Sequence, residues 1–153
     1  MTLDSIITVV HILGGAAFAV TIILMQTVVS PAMAKIPAGQ PKAMAAEIIQ
    51  GRARLAMDIV ILLQSATALY LLATKWNMIW ASFWLGAKVA AGATALFTAS
   101  LLHFYWRGKK ARLKQAGETQ KFEALSAFTL KMEKVALVLA PTAFVMGIIW
   151  GHL

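Results

Sequence analysis

Six polar side chains interrupt the long apolar runs of this 153-residue sequence: His11, Gln26, Asp58, Gln64, Lys88 and Glu133. An ionisable group in such a run is costly and marks a functional site by default, so His11, Asp58 and Lys88 head the list and the other three follow. A neutral imidazole needs a partner for both ring nitrogens. For His11 that partner is either haem iron or a hydrogen bond from a neighbouring helix. Lys88, inside FWLGAKVAAG (83–92), is a candidate catalytic proton donor or acceptor. Met146 offers a soft thioether and His103 a second imidazole. The chemistries within reach are haem ligation, proton transfer and soft-metal binding.

Other chemistries are excluded. The chain has no cysteine, which removes disulfides, thiolate metal sites and covalent c-type haem attachment. It contains no P-loop, His-Glu-x-x-His, dinucleotide glycine fingerprint or nucleophile elbow, so hydrolytic chemistry has no footing. The eight methionines are scattered with no Met-x-x-Met pattern, and most read as core filler rather than copper ligands.

The elements that must carry these residues follow from hydropathy. The chain is 60% hydrophobic and 13% charged, with a mean hydropathy of +0.76, beyond the range of a soluble domain. Crossing the hydrocarbon core takes about 20 apolar residues, and four segments qualify, at 5–29, 55–74, 78–104 and 128–150. No strand-length alternation suggests a barrel. The expected fold is all-α, one integral-membrane four-helix bundle over residues 1–153, with no internal repeat in the sequence. The first span is too long for a signal-peptide core and lacks a basic leader, so it reads as retained. Pro141 inside the fourth span predicts a kink.

Charge sets the expected orientation. Of the 14 Lys and Arg residues, all but Lys75 and Lys88 lie in or beside the 1–2 and 3–4 loops, which share one membrane face. The positive-inside rule puts that face in the cytoplasm and both termini outside, in the periplasm, for a multi-pass protein of the cell inner membrane. The run RGKKARLK (107–114) reads as this topology signal rather than as a nucleic-acid site. Trp76, Trp80 and Trp150 at the outer ends, and Phe104, Tyr105 and Trp106 at the inner, read as interfacial anchors. A short interfacial helix is expected from about Pro41 and an amphipathic extension over 111–127.

Orientation converts sequence position to depth. His11 lies about two turns into span one and Lys88 about three turns into span three, by helical rise. Met146 and the segment 65–70 reach the same outer half. Gly14, Gly15, Gly86 and Gly92 with neighbouring alanines could line a slot for a flat macrocycle or let helices pack closely. His103 falls at the inner end, where it is a second ligand, a propionate partner or an interfacial side chain. His11 and His103, near opposite faces, cannot grip one iron. Asp58 pairs most simply with Arg54 one turn away. His152 lies beyond the last span.

The order of ITVVHILGGAAF, RARLAMDIV, FWLGAKV, HFYWRGKKARL and KFEALSAFTLKMEKV resembles the four-helix membrane protoporphyrinogen oxidases and the related copper-resistance D-like membrane proteins. The resemblance implies that the first-span histidine and third-span lysine, here His11 and Lys88, form the functional pair, with the histidine associated with haem b. The expected function is then a haem-b-binding membrane redox protein, in electron transfer or porphyrin-type oxidation, with His11 as the metal ligand and Lys88, Met146 and His103 as further cofactor contacts. Two other readings stand beside it: a copper-handling protein using His11 and Met146, and a cofactor-free accessory subunit whose Gly/Ala faces pack in a larger membrane complex. The expected surroundings are the lipid bilayer, a membrane redox partner or larger complex, or further copies of the chain.

Overall fold

The computed structural model describes residues 2–37 and 39–150, and no strand forms among them. His152 and the side chains of Lys42 and Trp150 lie outside the described residues. Four helical segments are long and apolar enough to cross a membrane: Leu3–Lys35, Glu47–Thr74, Phe83–Gln115 and Thr119–Ile149. Their apolar surface points outward. Leu13, Leu62, Leu69 and Phe97 are 62–67% exposed, which fits contact with lipid far better than contact with water. The chain divides into two compact units, Met1–Ile79 and Trp80–Leu153.

In the first unit, α1 (Leu3–Leu24) starts where the Thr2 hydroxyl accepts the main-chain N–H of Ser5 and Asp4 sits in the first turn, both favourable at the positive end of a helix. A π-turn, Met25–Val29, leads into α2 (Ser30–Lys35). It contains Thr27, four residues before Pro31, whose ring would collide with the Thr27 carbonyl in a regular α-helix, and a π-turn relieves that conflict. Helix ends at Lys35 because Ile36, before Pro37, is extended. Gly39 takes φ 132°, a backbone region that side chains rarely adopt, and opens α3 (Gln40–Thr74). The expected separate helix near Pro41 is therefore the first turns of one continuous 35-residue helix.

α1 packs along α3. Gly14, Phe18 and Ile22 are buried at four-residue spacing on one face of α1, with Met57, Ile61 and Thr67 buried on α3. At the chain's outer end in the sequence reading, Asp4 accepts hydrogen bonds from the Tyr70 hydroxyl (2.7 Å) and the Lys75 ammonium (3.0 Å). Lys75, isolated in the sequence, is thus held by a residue 71 positions away.

The short helix α4 (Trp76–Ala81) precedes the second unit's long helices. The third span starts later than the sequence suggests, because Ser82 is extended and its hydroxyl caps α5 (Phe83–Ser100) at Leu85. A second π-turn, Leu101–Trp106, joins α5 to α6 (Arg107–Gln115). Gly117, at φ 69°, then reverses the chain. Its N–H donates to the Lys114 carbonyl and that of Glu118 to Leu113, the paired bonds of a glycine helix stop. α7 (Thr119–Trp150) follows and runs unbroken through Pro141. The amphipathic extension expected over 111–127 is the end of α6, this turn and the start of α7.

α5 and α7 meet along small residues: Ala95, Thr98 and Ala99 on one side, Thr129, Ala136, Ala140 and Ala143 on the other, all buried. A Cβ placed on Gly92 would rest 3.7 Å from the Ala143 methyl. This is the close-packing use of small residues. Near the π-turn, Trp106 packs edge-on against Phe128, ring centres 5.1 Å apart.

Candidate functional site

His11 is half-buried on α1 and faces two polar side chains of α3. Its Nδ1 lies 3.0 Å from the Thr67 hydroxyl oxygen. That hydroxyl already directs its hydrogen at the Leu63 carbonyl (2.9 Å), with the Gln64 carbonyl at 3.2 Å. Its oxygen is therefore the acceptor, and the proton sits on His11 Nδ1. The lone pair is then on Nε2, where the Gln64 amide nitrogen approaches to a long 3.4 Å. Thr67, 8% exposed, fixes the tautomer and the plane of the ring.

Gln64 is less well placed. Its Oε1 is buried and has no hydrogen-bond partner among the described residues. The carboxamide occupies a notch over Gly14, where an added Cβ would stand 2.6 Å from that oxygen. Gly14 is three residues from His11, on the same side of α1. The small-residue lining expected near His11 thus exists at Gly14 and is filled by Gln64.

Lys88 belongs to the second unit. It is half-buried on α5, and its aliphatic end lies across Gly147 of α7. A Cβ on Gly147 would meet Lys88 Cε at 2.9 Å and Nζ at 3.0 Å. Glycine here is what lets the lysine chain pass. Its ammonium makes no hydrogen bond or ion pair among the described residues. Met146, expected at this level, is half-buried next to the residue that Lys88 touches.

The remaining candidates are dispersed. His103 is half-buried within the π-turn Leu101–Trp106, and Glu133 is half-buried on α7. On α3, Asp58 is half-buried and Arg54 exposed. Among the described residues, no group of three or more His, Asp, Glu or Cys side chains could hold a metal ion. An open, shallow groove on the second unit is lined by Trp80, Phe83, Gly86 and Ala90.

Sequence reasoning placed Gln64 among the lesser polar residues and passed over Thr67 and Gly147. The signal for Thr67 was its depth, level with His11. Gly147 had none beyond its size. No family model matches the chain, and no curated protein or solved structure matches it.

Proposed function

We propose that the chain is a haem-b-binding redox protein of the cell inner membrane, a four-helix bundle with both termini outside, in which His11 Nε2 would hold the iron. The observation that carries this reading is the Thr67 contact at Nδ1. Histidines that bind iron commonly donate their other ring N–H to a fixed acceptor, which orients the lone pair at the metal. A haem brings four ring nitrogens of its own and takes only one or two ligands from the protein. One well-oriented imidazole is thus enough, where a bare metal ion would need the cluster that is absent among the described residues.

The chain's own residues have distinct tasks. Thr67, accepting from Nδ1–H, selects the tautomer whose lone pair is on Nε2. Lys88, propped over Gly147 within the second unit, carries a proton at Nζ that it can give up or take back. Haem, when bound, supplies one-electron chemistry, while the apolar helix faces keep water from the site. The basic residues of 107–114 belong to the cytoplasmic surface.

The test is the absorption spectrum of detergent-purified protein, oxidised and dithionite-reduced. A Soret band that shifts on reduction and is lost in His11→Ala is expected. Its absence from the wild type, or its persistence unchanged in His11→Ala, overturns the reading. Bound copper lost in Met146→Ala, or isolation as a cofactor-free part of a larger membrane complex, would replace it.

A further inference from the structure

We infer that Gln64 is a gate on His11: its carboxamide covers Nε2 and must swing out of the Gly14 notch before a ligand reaches that nitrogen. The inference rests on the haem reading and names a residue that controls entry to the same site.

Three observations converge on Gln64. The amide nitrogen meets His11 Nε2 at 3.4 Å, long for a hydrogen bond and so readily exchanged. The amide oxygen is buried without a partner, so the closed position leaves one polar atom unsatisfied. The notch that holds it exists because residue 14 is glycine. Thr67, on the other nitrogen, contrasts in each respect. Its contact is 3.0 Å, its hydroxyl is used as both donor and acceptor, and it is buried.

Rotation of Gln64 about its side-chain bonds needs no movement of α3. It exposes the Nε2 lone pair and releases the buried oxygen. Anchor and cap thus sit on one helix, three residues apart, and act on opposite nitrogens of one ring.

The experiment is stopped-flow uptake of haemin by the detergent-solubilised, cofactor-free full chain. Gln64→Met keeps the length of the side chain and removes the amide. Gly14→Ala leaves Gln64 in place and pushes it from the notch, since the clashing atom is the end of a flexible side chain. Both are expected to accelerate uptake roughly fivefold, the worth of one neutral hydrogen bond, whereas Thr67→Val slows uptake and weakens binding. Structural damage would slow all three, and Gly14→Ala keeps the test open if Gln64→Met fails to fold. Uptake by the wild type with no acceleration in either variant overturns the gate alone. Failure of the wild type to bind haemin overturns the haem reading and the gate with it.

Discussion

In the first unit His11 stands nearly four helical turns before a π-turn begins, and in the second Lys88 stands at almost the same distance before the other. Each then continues through a short helix and a reversal into a long antiparallel helix, α3 or α7. The likeness is one of construction rather than of sequence period. What differs is how each unit treats its polar group. α3 presents Thr67 and Gln64 to His11, whereas α7 presents Gly147, a side chain's worth of space, to Lys88. The seams differ in the same sense. Phe18, Ile22, Met57 and Ile61 fill the first, and alanines with Thr98 and Thr129 close the second. A unit held by large side chains and hydrogen bonds can orient an imidazole. A unit held by close backbone approach can leave a lysine end free to meet a ligand.

The sharpest way to break this comparison is to exchange the two kinds of seam. Ile61, 1% exposed, fills the first, and Ile61→Ala should cost about 2–5 kcal/mol by opening a cavity. The second seam should fail in the opposite direction. Ala140→Leu is expected to cost about 1–3 kcal/mol or more by forcing α5 and α7 apart. Thermal unfolding in detergent reads both. A second unit that accepts leucine at 140 without loss would mean that its small residues are not a packing seam.

Next in size is Thr67→Val, which leaves the His11 Nδ1–H without its acceptor. The expected loss is about 1–3 kcal/mol, the cost of a stranded buried donor, and a smaller loss in the double variant Thr67→Val, His11→Leu would show that the cost belongs to the pair. Lys88→Met sharpens the contrast. Because the ammonium has no partner among the described residues, its removal should leave stability within about 1 kcal/mol, on the stabilising side, as expected when a charge leaves an apolar helix. A loss comparable to that of Thr67→Val would show Lys88 to be as tightly engaged as His11.

These outcomes also mark what the sequence made legible. The four spans, and the positions of His11 and Lys88 along them, follow from hydropathy and rise per residue. Their rotation does not, because adjacent residues on a helix point about 100° apart and nothing local fixes which one faces the partner. Depth therefore selected Met146 for Lys88, while the contact is with its neighbour Gly147. Gln64 and Thr67 reach His11 from 53 and 56 residues away. That pairing depends on the approach of α1 to α3, which burial at Gly14 and Phe18 sets and no short motif announces. Pro141, expected inside the fourth span, does lie within α7, which continues through it.

The smallest effect is expected at the end of the first unit, where an exposed polar latch joins its two long helices. Asp4 joins the start of α1 to the end of α3 through Tyr70 and Lys75, yet the Asp4 and Lys75 side chains are 43% and 38% exposed. Exposed pairs contribute little, so Asp4→Asn should lower the melting temperature less than any loss above. The residual effect should divide by chemistry. Asparagine can still accept from the Tyr70 hydroxyl, whereas attraction to Lys75 is lost, and only that part is screened by salt. Melting wild type and Asp4→Asn at low and high salt separates the two. The difference should shrink as salt rises, and a difference that ignores salt would assign the latch to the Tyr70 hydrogen bond alone.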